Sequence, residues 1–211
     1  MRFASIVSPS YVDGPGRRTA LFVQGCSIRC EGCQNSHLWP ASGGLQSSAT
    51  SLARTLVETD LPITITGGEP FDQAADLYTL LFNVRRLDPH RHIILYSGHT
   101  FEELIETGRF EILASLAMAD VLVDGPYLQE QDDPGMQYRG SRNQRVIDLQ
   151  ATLGRSAELI LTQGPVLLDW DTPELILTDD GDLLGASPVV AEFGEVGVTA
   201  ATRRCGETAG C

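Results

Sequence analysis

Three cysteines stand close together at Cys26, Cys30 and Cys33, a C-x3-C-x2-C spacing, and the next cysteine along the chain is Cys205. Tight clustering and an odd total of 5 read as metal ligation in a reducing compartment rather than as a disulfide framework. Structural zinc takes four ligands, and an electron-transfer iron–sulfur cluster normally takes four thiolates. Three local ligands leave one metal position open, which is what substrate chemistry at a metal needs. The spacing alone leaves two other outcomes: zinc completed by His37, or a cluster closed by a remote cysteine such as Cys205. Gly25 and Gly32 carry no Cβ and let the backbone wrap closely around a bulky group.

Composition removes several rival chemistries. The chain has 15 basic against 28 acidic residues, a net charge of −13, which repels phosphate backbones and argues against a general nucleic-acid binder. All 15 basic residues are Arg. Without lysine there is no Walker-A phosphate loop and no pyridoxal Schiff base. The first nine residues lack a signal-peptide apolar stretch, and no run approaches the ~20 apolar residues of a membrane span. A cytoplasmic protein without a membrane anchor is expected. At 211 residues, 42% of them hydrophobic, the chain is expected to form one domain, with room for an appendage.

Apolar periodicity alternates strand and helix. Strands are expected at 20–23, 62–66, 93–96 and 121–123, and helices at about 50–59, from a cap at Asp72 to Leu87, and after a Thr100/Glu103 capping box. Residues 125–144 read as a long polar loop. The alternation predicts parallel α/β structure with its site at the carboxyl ends of the strands, as in a barrel. Residues 151–211 hold 3 Arg against 10 acidic residues, whereas 1–150 hold 12 against 18. Glu158-Leu159-Ile160-Leu161-Thr162 recurs as Glu174-Leu175-Ile176-Leu177-Thr178, and Asp180-Gly181 then leads to Leu183-Leu184. The division is therefore a core over 1–150 and a small β-rich, acidic appendage over 151–211. That appendage would include a hairpin and a disordered end holding Cys205 and Cys211.

Gly67-Gly68-Glu69-Pro70 follows a strand, with glycines that expose backbone groups and a carboxylate ready for an ammonium. By itself this is an ordinary turn; one helix and one strand after the cysteine loop it becomes specific. In this combination the sequence resembles the radical S-adenosylmethionine superfamily, and within it the activating enzymes of glycyl radical enzymes. Asp13-Gly14-Pro15-Gly16-Arg17-Arg18, Leu21-Phe22-Val23-Gln24-Gly25-Cys26, Cys33-Gln34-Asn35 and Trp39 match that subfamily's opening. The resemblance is strongest to activators of anaerobic (class III) ribonucleotide reductase. They share the Gly before the third cysteine, Tyr96-Ser97-Gly98, Val121-Leu122-Val123-Asp124-Gly125 and Tyr138-Arg139-Gly140-Ser141-Arg142-Asn143-Gln144. It covers roughly residues 9–150.

The resemblance implies an α/β fold of the partial TIM-like, radical-enzyme barrel type. It also implies an oxidoreductase whose [4Fe-4S] cluster is held by Cys26, Cys30 and Cys33. S-adenosylmethionine would chelate the open iron, with Gly67, Gly68, Glu69 and Pro70 gripping its amino group. Reductive cleavage would yield a 5′-deoxyadenosyl radical that takes a hydrogen from a glycine of the partner, anaerobic ribonucleotide reductase. A flavodoxin or ferredoxin would supply the electron. Asp124 and Ser97 are candidates for the ribose hydroxyls, or Ser97 for the carboxylate; capping and turn roles are the bland alternatives. Arg139, with Arg142 and Arg145, would hold the methionine carboxylate, meet an acidic rim on the reductase, or form a solvated loop. His37, His90, His92 and His99 show no paired metal spacing. Two rivals remain: a stand-alone radical enzyme acting on a peptide or metabolite, and a non-catalytic iron–sulfur or zinc protein.

Overall fold

A computed structural model describes residues 1–171 together with 176–177 and 183–184. Strands β1 (Arg2–Ser10), β2 (Arg18–Val23) and β3 (Leu45–Gln46) precede helix α1 (Ala49–Glu58). The chain continues through β4 (Ile63–Gly67), α2 (Ala74–Leu87), β5 (Ile93–Tyr96), α3 (Phe101–Glu106), α4 (Phe110–Met118) and β6 (Val121–Asp124). It then forms β7 (Arg145–Asp148), α5 (Leu149–Leu153) and α6 (Ala157–Gln163). Seven strands make one mixed sheet in the order β3-β1-β2-β4-β5-β6-β7. Its centre, β2, β4, β5 and β6, is parallel, and antiparallel β1 and β7 flank it. The sheet is open, with β3 on one edge and β7 on the other.

Period-two alternation divides the sheet's two faces. Leu21, Val23, Ile63, Ile65, Ile93, Leu95, Leu122 and Ile147 point into the larger core, beneath Leu52, Leu56, Leu77, Leu80, Leu81 and Leu116 of the helices. Ile94, Val121, Val123 and Val146 form a second apolar patch, joined by Tyr96, Leu168 and Trp170. Parallel strands buried on both faces need apolar residues at nearly every position, which Ile93, Ile94 and Leu95 supply. The Thr100/Glu103 capping box closes in both directions. Among the described residues no helix is long and apolar enough to cross a membrane.

Two local expectations need correction. Asp72 does not cap α2; residues Pro70–Gln73 form a 3₁₀ turn, and Gln73 precedes the helix without a side-chain cap. Residues 158–162, within the segment read as β-rich, are helical in α6, because the Ser156 hydroxyl accepts from Leu159 N–H and Gly164, at φ +72°, ends the helix.

The chain divides into two compact units, Met1–Thr172 and Pro173–Cys211, so residues 151–172 belong with the core. Val166 O accepts from Asp148 N–H at 2.9 Å, and Leu168 N–H donates to Val146 O at 2.8 Å, adding a short ladder beside β7. In the second unit, β8 (Ile176–Leu177) pairs antiparallel with β9 (Leu183–Leu184), the hairpin expected there. Cys205 and Cys211 lie outside the described residues.

Candidate functional site

The carboxyl ends of the four parallel strands converge on one end of the sheet. Beyond β2 comes the cysteine loop; β4 ends in Gly67, Ser97 directly follows β5, and Asp124 ends β6. The cysteine loop is closed at its base by main chain. Gly25 N–H donates to Leu38 O at 2.8 Å, Cys26 N–H to Trp39 O at 3.1 Å, and the Gln24 amide reaches Leu38 O and Pro40 O. Gly25 and Gly32 adopt φ +99° and +75°, a left-handed region that side chains disfavour. Asp72 holds the loop from outside, accepting from the Ser27 N–H and hydroxyl at 2.7 Å each.

Close backbone approach explains the paired glycines. A Cβ on Gly68 would lie 2.0 Å from Gly25 O, and one on Gly67 would lie 2.7 Å from Val23 N. Gly68 N–H donates to Val23 O and Glu69 N–H to Gly25 O, at 2.9 and 2.8 Å. The glycine turn is thus hydrogen-bonded directly onto the root of the cysteine loop. Pro70 is buried at the start of the 3₁₀ turn, where its missing N–H leaves no donor wanting.

Glu69 faces inward. Its carboxylate is 1% exposed and accepts from Phe71 N–H, Gly98 N–H and the Ser97 hydroxyl, at 2.9, 2.9 and 3.1 Å. Burial pushes it above the ordinary carboxylate value, against these donors and nearby His99. Its side chain therefore braces the ends of β4 and β5. Ser97, expected at the ribose or the carboxylate, is part of the same brace, donating to Glu69 and accepting from His99 N–H at 3.0 Å. Asp124, expected at the ribose hydroxyls, is also held by protein partners. It is fully buried, with Oδ1 accepting from Arg145 Nε and Oδ2 from Phe101 N–H and Arg145, while Arg145 also pairs with Glu102.

Arg139 keeps a place at the site. It lines a hollow of ≈ 340 Å³ with Asp13, Cys33, Tyr96, Tyr138 and Gln144. One of its terminal nitrogens donates to Gln144 O at 3.3 Å and the other to Asp171, while its buried Nε has no partner. Arg142 is exposed. Arg18, in the matching stretch 13–18, is buried at the start of β2: it donates to Thr64 Oγ1 and Ile63 O at 2.7 and 2.6 Å, and burial lowers it to about 10. Ser27–Asp72 and Arg139–Asp171 escaped sequence reasoning because each joins residues far apart in the chain.

The three cysteines are free thiols, each half-buried. Cys30 opens on a hollow of ≈ 560 Å³ walled by Ile28, Tyr127 and Leu128, and Cys26 on another of ≈ 340 Å³ that Trp39 also lines. Burial raises Cys26 and Cys30 above the ordinary thiol value, so metal binding must displace their protons. Trp39 Nε1 is buried without a partner, a donor that an acceptor bound beside Cys26 would satisfy. Among the described residues no three His, Cys, Asp or Glu converge closely enough to hold a single metal ion, and His37 is exposed. Each of the three thiols borders a different hollow, Cys33 that of Arg139.

Such a loop, rooted at the end of an α/β sheet, defines an iron–sulfur protein, and residues 12–147 match the family described as 4Fe-4S single cluster domain. Three curated relatives carry the name anaerobic ribonucleoside-triphosphate reductase-activating protein. The Vibrio cholerae relative is 38% identical over 142 residues, 63% of this chain and 88% of the relative. That of Haemophilus influenzae is 32% identical over 153 residues, 68% of this chain and 96% of the relative. That of Escherichia coli K12 is 31% identical over 147 residues, 66% and 93% of the two chains. The chain belongs to the family of anaerobic ribonucleoside-triphosphate reductase-activating proteins.

Proposed function

We propose that the chain is a radical S-adenosylmethionine enzyme that installs the glycyl radical of an anaerobic ribonucleotide reductase. The four parallel strands would be its partial barrel, and Cys26, Cys30 and Cys33 would hold a [4Fe-4S] cluster. What carries the reading is the seating of the glycine turn on the cysteine loop, through Gly68 N–H to Val23 O and Glu69 N–H to Gly25 O. When bound, cluster and co-substrate would supply one-electron cleavage of the sulfonium and hydrogen abstraction from a glycine of the reductase.

The protein's own share is positioning and exclusion of water. Main-chain carbonyls of the glycine turn would accept from the co-substrate's ammonium, a group that needs acceptors when desolvated. Glu69, buried behind the turn, keeps the ends of β4 and β5 together. Arg139, beside Cys33, would take a carboxylate through its unused Nε–H. No side chain is required as a general base, because the bond breaks homolytically. A flavodoxin- or ferredoxin-type donor would deliver the electron.

The test is anaerobic reconstitution with iron and sulfide, reduction by dithionite, and assay of 5′-deoxyadenosine. Adding the reductase should then produce a glycyl-radical signal in electron paramagnetic resonance. Cleavage without that signal at any reductase concentration would remove the assigned substrate; no cleavage would remove the reading.

A further inference from the structure

Beside β7, residues 166–168 run antiparallel to that strand, bridged at Ile147 and Leu167. Because β7 is itself antiparallel to β6, this segment runs in the same sense as the parallel strands. It therefore carries Trp170 and Asp171 to the end of the sheet where the cysteine loop lies. Trp170 meets the Tyr138 ring edge-on, with centroids 5.6 Å apart and planes at 89°. Asp171 accepts from Gln137 N–H at 3.2 Å and pairs with Arg139. On the other side, the Tyr96 hydroxyl donates to Tyr138 O at 2.8 Å.

Tyr138 needs such bracing, since it holds φ +57°, a left-handed conformation that is disfavoured for non-glycine residues. The Arg139 guanidinium is fixed by Asp171 and Gln144 O, one on each terminal nitrogen, and Nε is its one nitrogen without a partner. The Arg139 side chain is 10% exposed and lines the hollow shared with Cys33. The family match ends at residue 147, so residues 166–171, which form a strap, lie beyond it.

We propose that Asp171, supported by Trp170, is a positioning residue that orients Arg139 so that its Nε–H receives a carboxylate in the hollow beside Cys33. The proposal rests on the radical-enzyme reading above. The carboxylate comes either from the methionine end of the co-substrate or from an acidic side chain of the reductase.

The experiment uses the full chain, reconstituted anaerobically. Asp171→Asn should raise the half-saturating concentration of S-adenosylmethionine or of reductase about tenfold, with iron content unchanged; Asp171→Glu should recover most of the loss. In an Arg139→Gln background the same Asp171→Asn change should shift neither by more than about twofold, because its effect runs through the arginine. A shift for S-adenosylmethionine in reductase-free turnover assigns the carboxylate to the co-substrate; one confined to the reductase assigns it to the partner. Equal losses in both backgrounds, or no shift in either, would overturn the proposal.

A second arm needs no metal. In Trp39→Phe protein, Trp170 is the remaining tryptophan, and Asp171→Asn should increase its quenching by acrylamide. Unchanged quenching would refute the strap. Wild-type protein that yields no 5′-deoxyadenosine would instead defeat the functional reading, and the quenching result would still decide the strap.

Discussion

The two walls of the site are built on different principles. The wall made by the cysteine loop and the glycine turn is main chain against main chain: Gly68 has no room for a Cβ beside Gly25 O, and Glu69 N–H donates to that same oxygen. The opposite wall, around Tyr138 and Arg139, is held by side chains: an edge-on aromatic pair, a tyrosine hydroxyl and an ion pair. Main-chain packing fixes positions to a fraction of an ångström and tolerates almost no substitution. Side-chain bracing can be retuned one residue at a time. The rigid wall is where cluster chemistry would sit, and the adjustable wall, braced from beyond the matched segment, is where partner recognition would be set.

The sharpest break comes at the rigid wall. Replacing Cys26, Cys30 or Cys33 singly by Ala should abolish cluster assembly, measured as iron and sulfide per chain. Gly68→Ala should cost about 3 kcal/mol or more, because a backbone oxygen stands where the Cβ must go. Its thermal midpoint and iron loading should fall together. Glu69→Gln should cost about 2–3 kcal/mol, since an amide NH₂ turned toward Phe71 N–H or Gly98 N–H leaves buried donors unmet. Denaturant unfolding of the metal-free chain reads that loss. Asp72→Ala, removing two bonds to exposed Ser27, should cost about 1 kcal/mol and slow cluster loading more than it lowers stability.

The smallest effect concerns the adjustable wall. Arg139 holds Asp171 below the ordinary carboxylate value, against the pull of burial and of Asp169. A depressed acid contributes stability that is complete above its unfolded value and is lost as pH falls through the folded one. Trp170 should therefore stay protected from quenching until the pH is below the ordinary 3.8 of Asp171, and Arg139→Gln should move that release upward. Identical profiles in the two proteins would remove Arg139 as the cause.

Much of the rigid wall was legible because its signals are local. Buried runs such as Ile93-Ile94-Leu95 announce parallel strands, and the cysteine spacing and glycine pair announce the loop and its seat. What escaped reading depends on contacts across the sheet. Glu69 meets Ser97 only because β4 and β5 are neighbours, so a carboxylate that looked free for a ligand is buried. Asp72 has the sequence position of a cap but finds Ser27 instead. Asp124 and Arg145 face each other through the β6–β7 register, which joins them in an ion pair whose carboxylate is buried and whose guanidinium is partly exposed. The run Leu159-Ile160-Leu161 fits strand or helix alike, and Ser156 and Gly164 decide for helix.

The central claim is that three thiolates anchor an iron–sulfur cluster with one iron left for the co-substrate. Mössbauer spectroscopy of oxygen-free protein, loaded with isotopically enriched iron, tests it most directly. The account predicts a [4Fe-4S] spectrum in which one iron in four shifts toward higher coordination when S-adenosylmethionine is added. A spectrum unmoved by S-adenosylmethionine, or a site that holds zinc instead of iron, would contradict it.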